Sequence, residues 1–139
     1  MEATRLLVFS GGLSILFASL LGSVMLIPLQ PWGKGAFRGV NFKQLLAAHL
    51  DWVMLGLMQG LAGGLISVFS LTPSVYVVWA MVLGGWLNPL PYLFRAFGIN
   101  AFALTGSLTQ RLAAALGGIS ATMIIIAWFA LLGGAWQSW

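Results

Sequence analysis

Few residues in this chain can do chemistry, and they fall into two short stretches. The first, AAHLDWVMLGLMQGLAGG at 47–64, holds the single histidine, His49, and Asp51, one of only two acids. The second, GGWLNPLPYLFR at 84–95, holds Asn88, Tyr92 and Arg95. An imidazole can act as a base, a hydrogen-bond partner or a metal ligand, while an amide and a phenol can hold the oxygen of a bound molecule.

On a helix turning about 100° per residue, His49, Trp52, Gly56, Gly60 and Gly63 share one face, and Asp51 points roughly 200° away from His49. A histidine above a run of small residues suits a flat cofactor, which needs a nitrogen for its metal and no side chains in the way. The same pattern suits a polar helix end whose imidazole bonds a carbonyl or a headgroup, and both uses stay open here. Asp51 is likewise open between two uses. One is a functional role toward another helix, another subunit or a basic link; the other is an ion pair with Lys43 or Arg95. In the second stretch Gly84, Gly85, Asn88, Tyr92 and Arg95 share a face by i, i+3 and i+4 spacing. Pro89 and Pro91 remove backbone donors and disturb the helix beside them. The result is either a pocket with an amide, a phenol and a cation, or a kinked packing face with Tyr92 and Arg95 anchored at the interface.

The elements that carry these residues follow from composition. Of 139 residues, 60% are hydrophobic and 6% charged, and the mean hydropathy is +1.01. A soluble domain is about 25% charged, so this chain cannot solvate a globular surface and lipid is its solvent. A spanning helix needs about 20 mostly apolar residues. Four runs qualify: Leu6 to about Leu29, Leu45 to Leu71, Val75 to about Phe94, and Leu112 to about Trp136. They are continuous rather than alternating, which favours helices over barrel strands. The expected fold is all-α: a single integral membrane four-helix bundle over residues 1–139. The first run is too long for a signal-peptide core and has no small-x-small exit, so it reads as a retained helix. The LTPS link at 71–74 predicts an antiparallel hairpin, with Thr72 or Ser74 as the helix cap. The half-apolar stretch FGINAFALTGSLTQ, 97–110, suits the membrane interface.

Charge sets the expected orientation. Links one and three share a side and carry Lys34, Arg38, Lys43, Arg95 and Arg111; the other side carries Arg5. The positive-inside rule then puts those links in the cytoplasm of a bacterial inner membrane and both termini outside. Trp32 at one end, and Trp136 and Trp139 at the other, suit interfacial belts. The pI near 10.4 is no nucleic-acid signal, because the net charge is only +4 and no Lys/Arg cluster exists. The absence of cysteine excludes disulfides, thiolate metal sites and Cys nucleophiles.

At the two motifs the chain resembles small four-helix membrane enzymes that include hydroxylaminobenzene mutases and styrene oxide isomerases. AAHLDWVMLG resembles the mutase pattern of Ala-His-Leu-acid followed by Val-Met. GGWLNPLPYLF resembles the isomerase stretch of Gly-Trp, an Asn four residues before a Tyr, an aliphatic residue and Phe. The resemblance implies haem b ligated by His49, with ferric iron as a Lewis acid; beside it, the His49 helical face adds Trp52 and Gly56 to the expected cofactor site, and Arg95 is counted with them. It implies Tyr92 and Asn88 at the substrate, and a homo-oligomer with the cofactor at subunit contacts. Two positions depart from the pattern. The family's asparagine six residues after the histidine is Leu55 here, followed by Gly56, and its aspartate before Gly-Trp is Gly84.

Three readings follow. In the first, a membrane isomerase or intramolecular mutase takes a small lipophilic epoxide or hydroxylamine from the bilayer, in a pocket lined by Trp52, Trp86, Met54 or Met58. In the second, a non-catalytic haem protein or a small subunit of a larger membrane complex has the same histidine but no turnover. In the third, a small transporter or assembly factor has no cofactor; the sparse charge within the spans opposes ion transport. One histidine per chain cannot supply both ligands of a bis-His cytochrome, which favours an iron with an open position.

Overall fold

A computed structural model describes residues 2–138; the expectation for Trp139 lies outside them. The described residues are helical without strands: α1 (Glu2–Met25), α2 (Phe42–Val68), α3 (Val75–Leu87), α4 (Leu90–Ala96) and α5 (Leu108–Gln137). Four segments are long and apolar enough to cross a membrane: Glu2–Leu29, Phe42–Val68, Val75–Ala96 and Leu108–Gln137. The protein is therefore a four-helix membrane bundle. Residues such as Phe9, Leu16, Leu57, Leu61 and Phe129 point outward, as a lipid solvent permits.

The ends differ from the sequence reading where local chemistry decides them. The α1 helix stops at Met25, and 3₁₀ turns at Ile27–Leu29 and Pro31–Gly33 finish the run, each with a proline in its first two positions. The α2 helix begins three residues early because the Asn41 side chain accepts from the Gln44 amide at 3.3 Å and caps it. The α5 helix begins four residues early on a capping box: the Ser107 hydroxyl takes the Gln110 amide and the Gln110 side chain takes the Ser107 amide. Leu108, Thr109 and Gln110 thus belong to the helix, not to an interfacial link. Between α2 and α3, Ser74 holds the cap position without a side-chain bond.

The third span is broken. The α3 helix ends at Leu87, Asn88 and Pro89 stand between, and α4 restarts with Pro91 in its first turn. Neither proline has an N–H, so the carbonyls of Gly85 and Leu87 lose their helical donors. In the same turn the Trp86 carbonyl accepts from the Trp52 indole at 3.3 Å.

Glycine decides how close α1 comes to α2. A Cβ on Gly56 would lie 2.7 Å from the Gly11 carbonyl oxygen, and one on Gly63 would lie 3.2 Å from that of Thr4. Such close backbone approach supplies packing where no hydrophobic effect acts between helices. The α3 helix packs mainly on α5, where Gly84 admits Ile124 and the Ser120 carbonyl. One core cluster joins all four spans through Leu7, Ala62, Ile66, Met81, Ala127 and Leu131, and a second gathers Ala18, Ala48 and Trp52. Buried polar groups lie among them: the Ser14 hydroxyl donates to the Trp52 carbonyl at 2.8 Å, and the Trp86 indole donates to Ser10 at 3.0 Å. Links one and three meet at one end of the bundle, where the Asn41 amide donates to the Ala96 carbonyl at 2.9 Å.

Candidate functional site

The helical break brings Asn88 against α2 and α5. Its amide nitrogen donates to the Asp51 carboxylate at 2.9 Å, and its carbonyl oxygen accepts from the Ser120 hydroxyl at 3.3 Å. Ser120 also lies 2.9 Å from the Gly117 carbonyl, so its single proton is shared between two acceptors. Asn88 is thus gripped at both ends by groups from two other spans, and one amide hydrogen remains free. Asp51 points away from His49, as helical spacing requires, but its partner is Asn88 rather than Lys43 or Arg95.

Asn88 and Tyr92 line one cavity of about 380 Å³, together with Pro91, Phe102, Leu104 and Gly118. The Tyr92 ring lies against Phe102 with centroids 5.0 Å apart, and its hydroxyl bonds no other described residue. Arg95 is exposed, its guanidinium 5.2 Å from the centroid of the same Phe102 ring. The strap carrying Phe102 runs between Gly98 and Gly106, both at positive φ, a conformation that glycine adopts without strain. From Ala101 to Gly106 the strap makes no backbone–backbone hydrogen bond.

His49 does not line that cavity, but it bonds to Ala18, part of the Ala18–Ala48–Trp52 cluster against which Tyr92 packs. Its Nδ1 is 2.8 Å from the Ala18 carbonyl oxygen. A carbonyl only accepts, so Nδ1 carries the proton and Nε2 is the nitrogen left to bind something else. The ring lies over Gly22, where a Cβ would come within 2.9 Å of Cε1. A backbone carbonyl on the far ring nitrogen is the usual way a metal-binding imidazole is oriented, so the donor chemistry of His49 fits a haem iron.

The rest of the expected cofactor surface does not fit within one chain. Trp52 is 2% exposed, its indole is bonded to Trp86, and Phe17 of α1 meets it edge-on at 4.7 Å. Gly56 and Gly63 face α1, which takes those two positions of the groove that the sequence offered to a flat ring, while a Cβ on Gly60 would meet nothing within 4 Å. Arg95 lies beside Phe102, and no described contact joins it to His49. No described cavity is lined by both His49 and Tyr92. The two departures from the resembling enzymes are packing positions: Leu55 is buried, and α5 leaves no room for a side chain at Gly84.

The sequence reading missed Ser120, Phe102 and Gln59. Gln59 is fully buried, with its carbonyl oxygen unpaired; its signal was a lone amide in an apolar run. Compared with known proteins, the chain matches no family model, no curated protein and no solved structure.

Proposed function

We propose that this chain is a membrane isomerase or intramolecular mutase that rearranges a small lipophilic aryl epoxide or arylhydroxylamine, with haem b held by His49. The observation that carries the reading is the Asp51–Asn88–Ser120 chain ending in a largely apolar cavity that also holds the unbonded Tyr92 hydroxyl. The resembling enzymes place a carboxylate and an amide at positions that here are Gly84 and Leu55. This chain has its own carboxylate–amide pair in Asp51 and Asn88.

In this reading the chain's residues act on the substrate oxygen. Phe102, Leu104 and Pro91 take the aromatic ring and exclude water. The free amide hydrogen of Asn88 and the Tyr92 hydroxyl donate to the oxygen as its bond to carbon or nitrogen weakens, and the developing negative charge strengthens both bonds. Asp51 and Ser120 keep the Asn88 amide from turning. His49 would hold haem through Nε2, and the haem would supply a ferric Lewis acid. No electrons are consumed overall. Purified protein should therefore form the isomeric product from an aryl epoxide or an arylhydroxylamine with no added reductant. Absence of product from both, in protein showing a Soret band, would overturn the reading.

The absence of His49 from the lining of the Asn88–Tyr92 cavity favours a second reading, a non-catalytic membrane haem protein, and the same assay separates the two. In either case the cation-rich end of the bundle lies in the cytoplasm. A reporter fused after Trp139 should score as extracytoplasmic, and a cytoplasmic score would reverse the assignment.

A further inference from the structure

Around the Asn88–Tyr92 cavity, Pro91 and Tyr92 belong to α4, and Ala114, Gly117 and Gly118 to α5. The remaining wall is the strap, which contributes Ala101, Phe102 and Leu104. Displacing a helix breaks a ladder of hydrogen bonds, whereas displacing the strap breaks almost none. Its last backbone tie before the cavity is the Ile99 amide to the Phe94 carbonyl at 3.0 Å, and the next is the Arg111 amide to the Ser107 carbonyl at 3.0 Å. Between them the Phe102 amide reaches only the neighbouring Asn100 side chain, at 3.4 Å. Segments with so few backbone bonds are the first to open in a folded protein.

Side chains hold the strap in place. The Phe102 ring has Tyr92 at 5.0 Å and the Arg95 guanidinium at 5.2 Å, so α4 grips it with a phenol and a cation. A cation over a ring at an exposed site holds only weakly, which suits a latch better than a fixed wall. Leu104 and Gly118 line the cavity, and the same two residues line a groove of about 390 Å³ on α5, together with Ala115, Ile119, Met123 and Ile126. The groove faces lipid: Ile119 and Ile126 are exposed, and its one hydroxyl, on Thr122, donates to the Gly118 carbonyl at 2.8 Å. Gly118 brings no side chain to the boundary between the two spaces, so Leu104 is the side chain common to both.

We infer that the strap is the entrance of the cavity: latched by Arg95 and Tyr92 on Phe102, it admits small neutral lipophilic molecules from the α5 groove past Leu104. The inference rests on the proposed function only for the class of molecule admitted, and its test needs neither substrate nor haem. The chain has no cysteine, so Ala114→Cys puts a single thiol in the cavity wall. The full chain in lipid nanodiscs is treated with N-ethylmaleimide, which is neutral and lipid-soluble, or with a quaternary-ammonium methanethiosulfonate, which stays in water. Each rate is divided by that of Thr72→Cys, an exposed position outside the cavity. The maleimide should have the higher relative rate at position 114. Leu104→Trp, and Met123→Trp in the groove, should slow it severalfold, and Leu104→Ala should speed it. Arg95→Gln should speed it about two- to fivefold, the worth of a cation over an exposed ring. A cationic reagent that keeps pace with the maleimide would put the entrance on the water side and overturn the inference. So would the absence of labelling by either reagent, or a maleimide rate unmoved by the Leu104 variants, by Met123→Trp or by Arg95→Gln. Labelling as expected, without product from either proposed substrate, would leave the entrance standing and remove the catalytic reading alone.

Discussion

Tyr92→Phe should lower turnover about a hundredfold, the effect of removing one donor worth about 3 kcal/mol to a developing oxyanion, while expression and haem content stay normal. The substitution keeps the ring, and with it the contact to Phe102. It removes only a hydroxyl that bonds no other described residue, so among the described residues no structural bond is broken and no buried partner is left unsatisfied. A companion variant tests the cavity from the facing wall. A Cβ on Gly118 meets nothing within 4 Å, so Gly118→Ala is accommodated and Gly118→Leu adds further bulk at the cavity, which should also depress turnover, chiefly through KM. The neighbouring Gly117 is no substitute, since a Cβ there would lie 2.8 Å from Pro91. If Tyr92 only anchors α4 at the headgroups, both variants will turn over at near the wild-type rate, and the cavity should be dropped as the site.

His49→Ala should take the Soret absorbance per chain to background while the protein still inserts and purifies normally. The imidazole is the only side chain of its kind in the sequence, and its Nδ1 bond to Ala18 leaves a single nitrogen for iron. Insertion is decided by the whole span, in which one half-buried ring next to Gly22 counts for little. The diagnostic ratio is Soret to protein absorbance in detergent, read on wild type and variant prepared side by side. An unchanged ratio would remove His49 as the ligand. Product formation by a variant without haem would show that the Asn88–Tyr92 cavity works unaided.

The four spans were legible because composition alone forces them: runs this apolar have no other solvent. The side-by-side placement of links one and three was legible from helix parity. The polar site was legible only by half. Asn88 and Tyr92 could be put on one face, and Asp51 could be turned away from His49, from helical spacing alone. The partner of Asp51 could not be read. It depends on the break at Pro89 swinging Asn88 onto α2, and on Ser120 arriving from a helix 32 residues further along the chain. The small-residue face of α2 misled for a physical reason. Gly56 and Gly63 are what a flat macrocycle needs, and also what an adjoining backbone needs, and in this chain α1 takes the place. Leu55 and Gly84, where the chain departs from the resembling enzymes, are packing positions: Leu55 is buried, and α5 leaves no room for a side chain at Gly84.

The strap from Ala101 to Gly106 also acts as a depth gauge. Its peptide groups lack backbone partners, so they must reach water or headgroups, because hydrocarbon would leave them unsatisfied. At about 1.5 Å per residue along α4, Tyr92 lies roughly 6 Å and Asn88 about 12 Å below the Ala96 level. If the strap meets water or headgroups, the cavity that Phe102 and Leu104 line lies between that boundary and the oily phase. A compound with a ring and one oxygen accumulates in that zone by partitioning, so for the proposed substrates the membrane itself sets the concentration that the cavity meets. Apparent affinities would then scale with the lipid volume of the assay rather than with its aqueous volume.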